Sequence, residues 1–247
     1  MKKKEVAVLG IRKPVIAMIH VQALPGTPAY GGNHRKIIET AVKEASFYQK
    51  AGVDILMIEN MHDRPYLKRS AGPEITAMMT AVALAVAKAA SLDFIRAEGF
   101  VFAHVGDEGL YDSDAGTLLR YRRNIDAENV SIFTDIKKKH SAHAITADVN
   151  LAETAAAAEF FLSDGIIVTG TATGEPATLE DLELVKQATN LPVLVGSGIT
   201  IENLANYMEV ADALIVGSFL KKDGKWFNAP DPERIRQFMD KVNVLRG

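Results

Sequence analysis

The sequence predicts a single parallel α/β domain of the (β/α)8-barrel class, spanning residues 1–247, and three observations predict it. Short β-branched apolar runs alternate with amphipathic helical stretches from end to end. No linker or shift in composition interrupts that alternation. The two glycine-serine turns come late, at Gly196-Ser197-Gly198 and Gly217-Ser218. A dinucleotide-binding open sheet would put its glycine turn after the first strand, where this chain has His20-Val21-Gln22.

In chain order, Pro14–His20 (PVIAMIH) is an apolar run of the kind buried on both faces, ending in a polar residue. Val21–Asn33, with two prolines and three glycines, is an irregular loop. His34–Ala51 has apolar residues at 37, 38, 41, 42, 45 and 48, the helical period, and Gly52 ends it. Val53–Glu59 is the second strand, and Met61–Gly72 the loop after it. Pro73–Ala90 is a helix striped by Ile75, Met78, Met79, Val82 and Val86. Asp93–Ala97 is the third strand, Phe100–Tyr111 a loop, and Asp114–Asn124 a short helix. Val130–Ile136 is the fourth strand, and Lys137-Lys138-Lys139-His140 follows it. Asn150 caps Leu151–Leu162, with Glu153 placed for a capping box. Gly165–Thr169 is the fifth strand, closed by Gly170-Thr171, and Thr178–Thr189 is a helix. Pro192–Val195 is the sixth strand. Thr200 is expected to cap a helix over Ile201–Glu209, and Ala211–Val216 is the seventh strand. Asp231-Pro232 opens the last helix as N-cap and first helical residue. The count stops at seven strands, where a standard closed barrel needs eight.

Composition narrows the function classes. The net charge is −3, and the basic clusters Lys2–Lys4 and Lys137–Lys139 are short, so nucleic acid is not an expected partner. There is no cysteine, hence no disulfide, thiolate catalysis or cysteine metal site. The apolar part of MKKKEVAVLGIRK is broken by Gly10, Arg12 and Lys13, which makes a poor signal peptide. Ile75–Leu92 is long and apolar but rich in alanine and interrupted by Thr76, Thr80 and Lys88, so a packed helix is expected and no membrane span. A cytoplasmic location is expected, with a mitochondrial one left open.

Glycine turns at the ends of the last two strands suit an anion. Glycine lets the backbone approach it, and the turn amides supply donors together with the positive end of a helix dipole. In (β/α)8 barrels the loops after the last two strands build the phosphate site. The expected phosphate-binding residues are therefore Gly196, Ser197, Gly198, Gly217 and Ser218, with Gly170 and Thr171 from the preceding turn. Read plainly, the same glycines only make tight turns. Polar residues at strand C-termini point into such a site, which gives His20, Glu59, Arg96, Asp135 and Lys137 as candidate catalytic residues. Strand alternation would let Asp135 and Lys137 face the same way, with Lys138 and Lys139 as solvated surface. Arg96 could pair with Glu59 or Glu98, or grip an anionic substrate. Asp107-Glu108 is a weak metal pair, and no metal site is assigned.

The blocks KPVIAMIHVQALPGTP, GVDILMIEN, DFIRAEGFVF, FTDIKKKHS, IIVTGTATG, VLVGSGIT and ALIVGSFLKKDG together resemble the BtpA family, whose members are ribulose-phosphate-binding barrel proteins. The resemblance covers nearly the whole chain and is closest to the animal branch. It implies a barrel acting on a phosphorylated small metabolite, as an enzyme or enzyme-derived protein, by a reaction the fold does not choose. The alternative it implies is an assembly or stability factor, as for members linked to photosystem I biogenesis, or an inactive shortened form. The expected partners are a phosphorylated small-molecule ligand and further copies of the chain, with no cofactor. Relatives carry a further strand where ITAMMTAVALAVAKAASLDFIR runs straight through, so a join near Ala83–Ala87 would remove the third βα unit and expose two strand edges.

Overall fold

A computed structural model describes residues 7–68, 70–87, 93–170 and 172–247. The seven expected parallel strands are all present, and three short antiparallel ones join them. The elements run β1 (Val15–His20), α1 (His34–Lys50), β2 (Ile55–Glu59), α2 (Pro73–Ala87), β3 (Phe94–Ala97), β4 (His104–Gly106), β5 (Gly109–Tyr111) and α3 (Ala115–Asn124). They continue with β6 (Ser131–Asp135), β7 (Ser141–Ala142), α4 (Leu151–Phe160), β8 (Gly165–Val168), α5 (Leu179–Ala188), β9 (Val193–Gly196), α6 (Leu204–Val210), β10 (Ala213–Val216) and α7 (Pro232–Arg246). The described residues form two compact units, one of residues 7–14 and 93–215, the other of 15–87 and 216–247.

In the first unit five parallel strands lie in the order β10-β9-β8-β6-β3. Its centre is dry: every residue of β8, β9 and β10 is buried, as expected for apolar strands covered on both faces. In the second unit β1 pairs in parallel with β2, and β1 is buried along its whole length. Helix α1 covers it with the stripe Ile37, Ala41, Ala45 and Tyr48, and the Tyr48 hydroxyl donates to the Met18 carbonyl at 3.2 Å. Helix α7 adds Ile235, Phe238, Met239 and Val242, the stripe read from the sequence.

The missing strand leaves a trace in burial. Only Met57 of β2 is buried, and no residue of β3 is. Each has one ladder partner among the described strands, β1 and β6 respectively. Helix α2 buries only Val82 of its fifteen residues, although its sequence is the most apolar of the helices. An apolar helix with so little covered is what remains when the strand it should pack on is gone.

Two local expectations are corrected. The stretch Phe100–Tyr111 is not a plain loop: β4 and β5 form a hairpin about Asp107-Glu108, and β4 pairs with β7. Strands of three residues are too short to show alternation, so periodicity could not reveal them. Thr200 does not cap the helix before β10. That helix starts at Leu204, and Asn203 accepts from the Thr200 amide and donates to the Gly198 carbonyl, which holds the turn open for three more residues.

Candidate functional site

At the C-terminal end of β1 the second unit encloses a cavity of about 420 Å³. Its wall comes from the loop after β1, the first turns of α1, the loop after β2 and the segment after β10. His20, the last residue of β1, is register partner of Glu59, the last residue of β2, so the two strand-end candidates lie side by side. His20 Nδ1 is 2.9 Å from the Trp226 carbonyl. A carbonyl only accepts, so Nδ1 carries a proton, and in the neutral ring Nε2 is then the accepting nitrogen. Gly217 packs against this ring: a Cβ there would lie 3.4 Å from His20 Cε1. Gly217 and Ser218 open the single turn Ser218–Leu220, closed by Leu220 N–H to Gly217 O and Lys221 N–H to Ser218 O. The first amides of that turn, Ser218 and Phe219, have no partner within it.

Lys221 lies at the floor. It is 1% exposed and its Nζ is 2.6 Å from Glu44 Oε2 of α1. Burial pulls the lysine pKa down and pushes the Glu44 pKa up, while each charge holds the other against those shifts. Nearer the opening, Trp226 is flanked by the His62 ring at 4.8 Å and the Arg64 guanidinium at 5.4 Å. The His62 pKa is lowered, first by burial and then by Arg64 and Lys221. A closed loop carries Trp226: Lys222 N–H donates to Ala229 O at 2.9 Å, and Asp231 N–H to Leu220 O at 2.9 Å.

Sequence reasoning missed this constellation. Lys221 was legible only as added charge or surface, and Trp226, His62 and Arg64 sit in irregular loops without a pattern. One signal was present: Glu44 falls seven residues after Ile37, on the stripe that α1 buries, and a carboxylate there needs a partner.

The first unit treats its candidates differently. Arg96 and Asp135 form a bidentate ion pair, Nε–Oδ2 2.6 Å and Nη2–Oδ1 2.7 Å, with the carboxylate buried. The guanidinium fork of Arg96 thus meets the carboxylate at the end of β6. Lys137 Nζ donates to the Thr146 carbonyl at 2.8 Å and hydroxyl at 3.1 Å. Its φ of 47° ends the strand alternation on which a shared facing with Asp135 depended. Lys138, expected in solvent, is 8% exposed. It pairs with Glu98 at 2.8 Å and stands 5.4 Å over the Tyr111 ring, which stacks on His104 across the hairpin. Asp107 and Glu108 sit at the hairpin turn, and the described residues contain no group of three metal-ligating side chains.

The Gly196-Ser197-Gly198 corner also lies in the first unit. Ser197 Oγ donates to the carbonyls of Ala172, at 3.1 Å, and Glu175, at 2.8 Å. A Cβ at Gly198 would collide with the Pro176 backbone, and one at Gly170 with the Glu175 carbonyl. Close approach of the 172–176 loop therefore accounts for both glycines. Thr171 lies outside the described residues.

Residues 11–84 and 80–244 match the profile of the BtpA family. The chain belongs to the BtpA family. The two matched stretches overlap at residues 80–84, inside α2, so one run of helix matches two places in the family, as a join of two helices would. A Caenorhabditis elegans protein described as uncharacterised and mitochondrial is 46% identical over 263 aligned positions, covering 95% of each chain. This BtpA-family chain has 247 residues, so at least sixteen of those positions have no residue in it. The photosystem I biogenesis protein BtpA of Synechocystis is 34% identical, over 92% of this chain and 87% of its own. Among solved structures, the (S)-3-O-geranylgeranylglyceryl phosphate synthase of Thermoplasma acidophilum, in complex with sn-glycerol-1-phosphate, superposes with TM-score 0.57 at 15% identity, covering 97% of this chain and 99% of its own. Thiamine phosphate pyrophosphorylase of Pyrococcus furiosus gives TM-score 0.55 at 13% identity, covering 95% and 97%. At such identities the likeness is one of fold. Among the described residues no helix is long and apolar enough to cross a membrane.

Proposed function

We propose that this BtpA-family protein binds a phosphorylated small metabolite at the strand ends of its second unit, as an enzyme or enzyme-derived protein of a cytoplasmic or mitochondrial compartment. The observation that carries the reading is the cation-rich cavity at the end of β1, with Gly217 packed against the His20 ring that lines it. Three cationic side chains, Lys36, Arg64 and Lys221, meet one carboxylate, Glu44, in that lining. Such a wall attracts an anion. The turn that opens at Gly217-Ser218 offers amide donors beside it. That two solved neighbours are named for phosphate-bearing compounds supports the same reading.

In this assignment the phosphate docks on the Gly217-Ser218 amides, and His20 and Glu59 face the reacting part. His20 Nε2 is the general base within reach, because its Nδ1 proton is committed to the Trp226 carbonyl. Arg96 and Asp135 fix the end of β6 and act through position. A thermal-shift series with phosphate esters tests the proposal. Stabilisation is expected for the wild type and should vanish in Ser218→Glu, whose carboxylate would occupy and repel at the corner. A Ser218→Glu variant that keeps the full shift would sink it.

A further inference from the structure

The cavity asks for more than a phosphate. Its charges lie at two levels. Lys221, fully buried, is neutralised by Glu44 at 2.6 Å. The uncompensated positive charge is therefore at the rim, on Lys36 in the first turn of α1 and on Arg64 in the loop after β2, both exposed. A phosphate held by the Gly217-Ser218 amides is bound through backbone donors and leaves those two cations unanswered. Nothing in their own structural roles uses them up. The Lys36 backbone amide, and not its side chain, serves the Asn33 cap, and among the described residues Arg64 stands over the face of Trp226. The field of Arg64 already reaches into the lining, since it pushes the His62 pKa down beyond the effect of burial.

We propose, resting on the phosphorylated-ligand reading above, that the ligand is a bis-anionic metabolite: a phosphate ester bearing a second acidic group, a carboxylate or another phosphate, received by Arg64 and Lys36. Arg64 is suited to a forked carboxylate or phosphate contact, and Lys36 to a point-charge contact. The volume, about 420 Å³, accommodates a small phosphorylated acid with room to spare. Trp226 supplies the apolar wall against which its carbon chain lies, and Thr40 and Asn228 supply hydrogen-bond partners for hydroxyls.

The experiment compares 3-phosphoglycerate with glycerol 3-phosphate, which differ in the carboxylate, by calorimetry on the whole chain. The acid is expected to bind roughly tenfold tighter or better. That advantage should shrink to near parity in Arg64→Gln and in Lys36→Gln, two exposed positions whose replacement leaves the core untouched. In an NMR titration the His62 midpoint should move up when the acid binds, because a nearby anion favours the charged ring. Equal affinity for the two ligands would overturn the second-anion proposal while leaving the phosphate reading in place. Binding of neither would remove the phosphate reading and this inference with it.

Discussion

A lysine and a glutamate buried against each other rarely stabilise a fold as much as an apolar pair of the same volume would, because both lose their hydration. Glu44 and Lys221 nevertheless lie at the floor of a cavity, at 2.6 Å, with the lysine ammonium 5.7 Å over the Tyr48 ring. Removing one partner leaves a bare charge in the core. Lys221→Met should therefore cost about 3–5 kcal/mol. The double variant Lys221→Met, Glu44→Leu should regain most of it, which chemical denaturation of the three proteins would measure. A single variant as stable as the wild type would mean that water already reaches Glu44. The pair was half legible: the period of α1 puts Glu44 on its buried stripe, but nothing in GSFLKKDG separates the buried Lys221 from the exposed Lys222 beside it. His104 gives a second prediction at this scale. Burial, then Lys138 and His143, lower its pKa to about 4, while an unfolded histidine titrates near 6.5. Between those values the unfolded chain takes a proton that the native ring refuses. Its contribution to stability is thus intact above pH ~6.5 and declines as the pH falls toward 4. In His104→Phe, which keeps a ring against Tyr111, the denaturation midpoint should fall less steeply over that window, and identical slopes would exonerate His104.

At the level of the element, what the sequence shows depends on whether the cause is local. The capping box of α4 is made by Asn150 and Glu153 within four residues, and both bonds are present at 2.9 and 2.8 Å. Asp231 likewise accepts from the amides of Glu233 and Arg234 just before Pro232, as the Asp-Pro pair announces. Buried strands are legible for the same reason, since four or five apolar residues in a row declare themselves. What fails is anything set by a distant partner. The β4–β5 hairpin exists because β7, some thirty residues on, completes it, and its short strands carry no periodic signal of their own. Lys138 reads, with Lys139, as solvated surface, yet Glu98 and Tyr111 bury it. The glycine corners are the instructive middle case. Gly196-Ser197-Gly198 and Gly217-Ser218 look alike in sequence. Tertiary packing separates them: the first is engaged by the 172–176 loop through Ser197 and Gly198, whereas Gly217 abuts His20 beside the cavity. Spacing could not reveal which loop would fold back.

For the molecule as a whole, the decisive sequence observation was a count, seven parallel strands where the fold class calls for eight, and it is matched by the strands found. The doubled family match within α2 locates the loss between β2 and β3. Its physical consequence falls on those two strands and on α2, which buries only Val82. In a parallel ladder each strand sends its amides alternately to one neighbour and the other, so a strand with one partner leaves half of them to solvent. Strands β8 and β9 each have a partner on both sides and are buried throughout, while β2 and β3 have one partner each among the described strands and are half exposed. Hydrogen exchange should resolve this difference strand by strand. The amides of β8 and β9 should open only with global unfolding, and those of β2 and β3 should exchange roughly a hundredfold faster or more, through local opening. The C. elegans relative, 46% identical and aligned over more positions than this chain has residues, is the natural control, with protection expected to extend across its counterparts of β2 and β3. Should β2 and β3 prove as protected as β8 and β9 in this chain, their edges must be covered in solution, and a second copy pairing along them would then be the first explanation to test by changing protein concentration.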